Sequence, residues 1–162
     1  MKIGITGHQQ RAGIDWGWVE EKIESELSCH CRQIGLVFSS LAMGSDQLFA
    51  SVALRLDLPV VGVIPFEGYE RTFADCHKQN YATLRDSCTD VIVLDWPGSD
   101  ELAFLNAGKW IVAATDLLLA VWDGKQAEGL GGTADIVNFA CDNGHSVLHI
   151  NPMEKSVRLL SS

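Results

Sequence analysis

The sequence has no apolar run long enough to cross a membrane and contains few basic residues. Its longest apolar runs are Val60–Pro65, Val91–Leu94 and Leu117–Trp122, far short of the roughly 20 residues that a bilayer-spanning helix needs. It has 12 lysines and arginines against 21 acidic residues, so the net charge is −9. Because the basic residues are scattered, we predict neither duplex nucleic acid nor a membrane as a partner.

Several motifs of common enzyme classes are also missing. There is no paired Cys-x-x-Cys, and we therefore predict no metal site. The P-loop pattern Gly-x-x-x-x-Gly-Lys-Ser/Thr is absent, and so is Gly-x-Gly-x-x-Gly after the first strand, which argues against P-loop ATP hydrolysis and dinucleotide dehydrogenase chemistry. No Gly-x-Ser-x-Gly elbow indicates a hydrolase triad. The sequence predicts no resident cofactor.

The chain does contain a regular alternation of strand-like and helix-like segments. Apolar segments predict strands over Lys2–Thr6, Leu36–Ser40, Pro59–Pro65, Asp90–Leu94, Leu117–Trp122 and Ser146–Ile150. Amphipathic spacing predicts helices after Asp15, from Ser45 or Asp46, over Ala74–Ser87, over about Glu101–Ala114, and from Thr133 to Asn143. The strands are continuously apolar, as expected when helices cover both faces of a sheet.

This pattern predicts one domain over residues 1–162 with a short C-terminal tail. The fold class is α/β, a Rossmann-like three-layer α/β/α sandwich with a mostly parallel sheet of about six strands. In such folds ligands bind beyond the carboxyl ends of the strands. Since the first residues indicate a strand and no apolar leader, we expect a cytoplasmic location.

Glycines follow several of the predicted strands. Gly131 and Gly132 come directly before Thr133, where a helix begins, so their amides and the helix dipole favour a phosphate. A plain tight turn with Thr133 as the N-cap is the alternative. Gly7 and the pair Gly44-Ser45 stand at two more helix-opening turns on the same edge. Together the three turns predict an anionic ligand.

Polar and aromatic side chains in these loops are further candidate ligand contacts. His8 can bind a phosphate or a base, and Arg11 can cover a phosphate. Tyr69 and Arg71 follow the third strand and can stack on a base and pair with a phosphate, respectively. Trp122 ends the fifth strand and either packs in the core or forms a wall of the pocket.

Two carboxylates lie near the starts of predicted helices. Asp46 opens the second helix, and Asp135 follows Thr133 in the fifth. Each can bind ribose hydroxyls or can simply complement the positive end of its helix dipole. The sequence alone leaves both interpretations open.

The segment Gly129–Asp135 resembles the Gly-Gly-Thr-x-Glu signature of the SLOG superfamily of Rossmann-like proteins. That superfamily includes the LOG phosphoribohydrolases, the DprA core and the YpsA-like proteins. Ile5–His8 is similar to its first-strand motif, and Ala42–Asp46 to the stretch that opens its second helix. Pro65–Glu67 and Trp110–Asp116 match two further stretches in order. The resemblance covers about residues 3–150.

This resemblance implies a nucleotide or nucleotide-derived phosphorylated ligand, held by a sensor or binding protein. The phosphate would lie on the amides of Gly131, Gly132 and Thr133, with Asp46 and Asp135 on the ribose hydroxyls. Relatives that pair through helices suggest a homodimer by analogy.

LOG enzymes cleave the N-glycosidic bond of nucleoside monophosphates, so such a hydrolase is the alternative, with Asp135 as its catalytic residue. Three departures weigh against it. Asp135 replaces the LOG glutamate, the stretch Asn106–Lys109 lacks the LOG catalytic arginine, and the segment Trp122–Gly132 is longer than the LOG loop. A protein-interaction module without a small ligand is the second alternative.

Overall fold

The computed structural model describes residues 1–126 and 129–160, and within them strands and helices alternate along the chain. The strands are β1 (Lys2–Gly7), β2 (Leu36–Ser39), β3 (Val60–Ile64), β4 (Asp90–Val93), β5 (Leu117–Val121), β6 (Ser146–Asn151) and β7 (Ser156–Leu160). The helices are α1 (Trp16–His30), α2 (Ser45–Arg55), α3 (Asp75–Ser87), α4 (Asp100–Ala114) and α5 (Thr133–Asp142). A short 3₁₀ turn, Tyr69–Thr72, follows β3.

All these strands belong to one sheet in the order β4-β3-β2-β1-β5-β6-β7. The pairs from β4 to β6 are parallel, and β7 alone runs antiparallel, along β6. The chain builds outward from β1 to β4 and then returns to place β5 on the other side of β1. The loops after β1 and β5 therefore diverge, which leaves a crevice at their carboxyl ends.

Helices cover both faces of the sheet, and each face has its own apolar core. Asp15 caps α1 by accepting a hydrogen bond from the Trp18 amide at 3.1 Å, and Val19, Ile23 and Leu27 turn the buried stripe of this helix inward. This stripe packs with α2 and α3 in the larger core, whereas residues of α4 and α5 pack on the other face of the sheet in the smaller one. Among the described residues no helix is both long and apolar enough to span a bilayer.

The predicted fold class is confirmed, with most boundaries within one residue of the prediction. The C-terminal segment is the main difference, because the predicted tail contains β7, which pairs Val157 with Ile150 and Leu159 with Leu148. This edge strand, with Val157 and Leu159 exposed, lacks the continuous burial of the inner strands. Its pairing depends on the turn after β6, where Asn151 accepts the amides of Met153 and Glu154.

Candidate functional site

A cleft of about 290 Å³ opens at the carboxyl ends of β1 and β5. Its walls come from the loops after β1, β2, β3 and β5 and from α4 and α5. Polar lining residues include His8, Gln9, Arg11, Asp46, Lys125 and Thr133, and apolar ones include Ile5, Pro65, Tyr69, Phe104 and Ile136. The volume lies near the lower end of the range for small-molecule sites.

The loop after β1 forms the first polar wall. The His8 amide donates to the Val121 carbonyl at 2.9 Å, and the His8 carbonyl accepts both the amide and the hydroxyl of Ser45, at 3.1 and 2.8 Å. The His8 ring lies against Asp123, whose Oδ1 is 3.1 Å from Nε2. Because backbone and ring are both fixed, the sequence from Gly7 to Arg11 has a defined path along the cleft.

The start of α5 forms the opposite wall. Gly131 has a φ of +81° and lies so close to α4 that a Cβ would be 2.8 Å from the Glu101 carbonyl oxygen. Its amide donates to Asp135 Oδ2 at 2.9 Å. The amides of Gly132 and Thr133 donate no hydrogen bond to any of residues 1–126 or 129–160. These two amides line the cleft and can bind an anion.

The start of α2, by contrast, is closed by the chain itself. A Cβ on Gly44 would collide with the Gln9 carbonyl, and Ser45 is fully buried. Asp46 is only 5% exposed, and its Oδ2 accepts the Ser40 amide at 3.1 Å. Burial raises the pKa of Asp46 to about 7, although hydrogen bonds from the Ser40 and Ala42 amides act in the opposite direction.

Aromatic side chains also line the cleft. The rings of Tyr69 and Phe104 have centroids 5.9 Å apart and are tilted by 59°, within a cluster that also contains Phe66, Phe73 and Tyr81. Burial, together with the nearby Asp46, raises the pKa of Tyr69, so its phenol stays protonated. These side chains can pack against a flat, apolar group.

Trp122 forms part of the cleft wall and is fixed in place by the chain around it. Its indole Nε1 donates to the Lys125 carbonyl at 2.7 Å, and its own carbonyl lies 2.8 Å from Nε2 of the buried His149. Nothing in the sequence predicts the contact of His149 with Trp122.

The cleft brings together most of the predicted ligand contacts: Gly7, His8, Arg11, Asp46, Tyr69, Trp122, Gly131, Gly132 and Thr133. Gly44, Ser45, Arg71 and Asp135 do not line it. Gly44 and Ser45 hold the loop after β1, and Arg71 is exposed and pairs with Asp100 at 3.4 Å. Asp135 instead binds the Gly131 amide, which removes that amide from the predicted phosphate site.

Sequence reasoning missed Phe104, Gln9 and Lys125 as lining residues. Phe104 lies on α4 at a position that the apolar pattern assigns to the core, and no local signal separates a pocket wall from a core residue. Asp123 lies in the turn after β5, where it accepts the Lys125 amide at 3.2 Å, and it also contacts His8 and Arg11.

The chain was compared with protein families, curated proteins and solved structures. No family model and no curated protein matches. DprA from Streptococcus pneumoniae has a TM-score of 0.66 at 16% identity, over 91% of this chain and 49% of that one. The molybdenum cofactor binding protein from Rippkaea orientalis has a TM-score of 0.59 at 16% identity, over 91% and 74%. Likeness at such identity shows the fold alone, and it confirms the Rossmann-like α/β fold that the sequence predicted.

A second DprA, from Helicobacter pylori, corrects the prediction about partners. Its TM-score is 0.64 at 15% identity, over 92% of this chain and 64% of that protein, which has a single-stranded DNA binding mode. The present chain thus spans about half to two thirds of the two DprA proteins. The partner prediction, which excluded duplex nucleic acid and named no nucleic acid at all, is contradicted. An acidic net charge is a property of the whole surface and does not exclude nucleic acid from a local site.

Proposed function

We propose that the cleft binds a nucleotide or a nucleotide-derived phosphorylated ligand, as a sensor or binding protein does. The observation that carries this proposal is the mixed lining of one cleft. Arg11, Lys125, Gly132 and Thr133 line it, the last two with amides that donate to none of residues 1–126 or 129–160, and so do aromatic and aliphatic side chains. A ligand with an anionic group and a flat ring matches both.

The polar lining residues of the cleft support binding of a phosphate. The amides of Gly132 and Thr133 lie at the positive end of the α5 dipole, and Arg11 and Lys125 add positive charge. A net charge of −9 does not oppose this, because the anion site is local.

The aromatic lining residues support binding of the flat ring of the ligand, since Tyr69 and Phe104 line the cleft together with Pro65. Asp46 lies in the same cleft and has the oxygen atoms that a ribose hydroxyl or a ring N–H can bind. Neighbours of this fold that bind single-stranded DNA or molybdenum cofactor support a ligand-binding use of the fold.

The N-glycosidase alternative loses its proposed catalytic residue. Asp135 is not part of the cleft lining, and its Oδ2 is engaged by the Gly131 amide at 2.9 Å. No other observation favours hydrolysis over binding. The homodimer, the cytoplasmic location and the extent of the single domain stay predictions.

Thermal melting against a panel of nucleoside monophosphates, their nucleosides, cyclic nucleotides, NAD-derived compounds and short single-stranded oligonucleotides tests the proposal. A ligand at 100 times its Kd adds about 2.7 kcal/mol, which raises Tm by roughly 5–10 °C in a domain of this size. We expect a shift with nucleotides and a much smaller one with the nucleosides. No shift with any phosphorylated compound would overturn the proposal.

Gly132→Asp is the matched variant. Gly132 has a φ of −69°, which any residue adopts, and aspartate is a good N-cap. The new carboxylate should accept the amide of Ala134 or Asp135, as an N-cap side chain does, and repel the phosphate. We expect an unchanged or slightly raised Tm without ligand and at least a tenfold loss of nucleotide affinity. Gly132→Asn, which caps without charge, should lose less.

A further inference from the structure

Asp123 has a buried carboxylate just outside the cleft, and one of its two oxygens, Oδ2, accepts no hydrogen bond from the described residues. Its side chain is 1% exposed. Oδ1 accepts the Lys125 amide at 3.2 Å and lies 3.1 Å from His8 Nε2. Oδ2 lies 3.1 Å from Arg11 Nη2, yet it has no aligned hydrogen bond with any group in the described part of the chain. Such an oxygen needs a cation beside it, because burial alone disfavours a carboxylate.

The two side chains that contact Asp123 both line the cleft. Arg11 is 34% exposed and donates no hydrogen bond to any residue in 1–126 or 129–160, so its N–H groups are held by charge and left free. His8 is fixed through Nε2, which lies near the Asp123 amide and carboxylate, and Nδ1 has no partner among the same residues. Arg11 therefore keeps N–H donors available to a ligand and His8 keeps one ring nitrogen available, while one carboxylate fixes where both side chains lie.

We infer that Asp123 is a positioning residue that never touches the ligand but holds Arg11 as a donor for its phosphate, with the His8 ring fixed beside it, in the same cleft as the amides of Gly132 and Thr133. The inference rests on the proposed function. It adds that recognition of the phosphate depends on a carboxylate, a group of the same charge sign as the ligand.

The protonation state of Asp123 is consistent with this role. Burial raises the pKa of Asp123, but the Lys125 amide, the His8 ring and Arg11 together outweigh burial and hold it below its ordinary value. The carboxylate is therefore ionised at neutral pH and can anchor a guanidinium.

Asp123→Asn distinguishes a positioning role of Asp123 from a purely electrostatic one, because the two roles predict opposite changes in the affinity for an anion. Removing a negative charge 3.1 Å from Arg11 should strengthen anion binding if charge alone matters. If Asp123 positions Arg11, the same change should weaken binding, since an amide nitrogen cannot hold a guanidinium. We expect about a tenfold loss of affinity, the lower end of what outer residues contribute at other sites.

Isothermal titration with AMP, GMP, CMP and UMP, each paired with its nucleoside, measures the effect. Asp123→Asn should weaken the nucleotides and leave the nucleosides unchanged, whereas general damage to the cleft would weaken both. Asp100→Asn is the control, because Asp100 pairs with Arg71 outside the cleft. Arg11→Ala combined with Asp123→Asn should lose little more than either alone.

Arg11→Lys is the second variant, in case Asp123→Asn does not fold. Lysine keeps the charge but cannot present a planar fork, so positioning predicts a loss of several fold and charge alone predicts none. Tighter or unchanged nucleotide binding in Asp123→Asn, equal loss for nucleosides, or additive effects in the double variant would overturn the inference. If the wild-type protein binds none of the four nucleotides, the inference is overturned; the proposed function is overturned as well only if no phosphorylated compound of the melting panel shifts Tm.

Discussion

The starts of α2 and α5 look alike in the sequence and differ in the structure. Each helix follows a glycine, begins with a hydroxyl residue and carries an aspartate in its first turn. At α2 the chain closes the site, because Ser45 binds the His8 carbonyl and the Asp46 carboxyl accepts the Ser40 amide. At α5 the amides of Gly132 and Thr133 donate to no group in the described part of the chain, and both residues line the cleft. A glycine-opened helix is thus an anion site only where no neighbouring loop fills it.

A substitution that disrupts the start of α2 should have the largest effect on stability. Gly44 has a φ of +83° and lies against the Gln9 carbonyl, so Gly44→Ala forces strain and collision together. We expect the free energy of unfolding to fall by about 3 kcal/mol or more, measured by urea denaturation. Gly129→Ala is the control, because nothing lies within 4 Å of its added Cβ, and it should change stability by less than about 0.5 kcal/mol. Equal effects at the two positions would contradict this view of α2.

A smaller effect is expected from the carboxyl that α2 buries. With a pKa of about 7 against 3.8 in a free chain, folded Asp46 keeps its proton where the unfolded chain has lost it. The free energy of unfolding should therefore fall as pH rises from about 4 to about 7, by at most about 4 kcal/mol. Asp46→Asn removes this loss but sets an amide nitrogen against donor amides, so we expect a net gain of about 1–2 kcal/mol at pH 8.

Urea denaturation at pH 5 and pH 8 checks this result. The difference in stability between Asp46→Asn and the wild-type protein should be small or negative at pH 5 and positive at pH 8. An equal difference at both pH values would show that the Asp46 carboxyl does not change its proton on unfolding in this range.

The smallest effect on stability is expected from a substitution at the start of α5. Asp135→Ala leaves the Gly131 amide without its acceptor, and we expect it to cost about 1 kcal/mol of stability. Nucleotide affinity should fall by less than about threefold, because the Gly132 and Thr133 amides stay in place. A loss of about tenfold or more, or release of free base from a nucleotide that this variant abolishes, would return Asp135 to the binding or catalytic role that the sequence suggested.

Much of the candidate site could be predicted from the sequence because it depends on strand ends. Parallel strands place their carboxyl ends on one edge, so residues directly after them, such as His8 and Trp122, meet at the crevice. Residues on helices were harder to assign. Phe104 and Asp135 each satisfy a local rule, as an apolar helix position and a first-turn acid, and neither rule says whether the cleft or another group lies beside them.

The sequence by itself determined the alternation of strands and helices, the parallel sheet and the edge on which the loops gather, because periodicity and turn residues act over a few neighbours. Three features became visible only in the tertiary structure. The Gly132 and Thr133 amides donate to no described residue, β7 pairs with β6, and Asp123 contacts both Arg11 and His8. Those outcomes depend on contacts between residues that are distant in the sequence. Asp123 and His8, for example, are more than 100 positions apart. No local pattern encodes which distant group arrives to satisfy a buried amide or carboxylate.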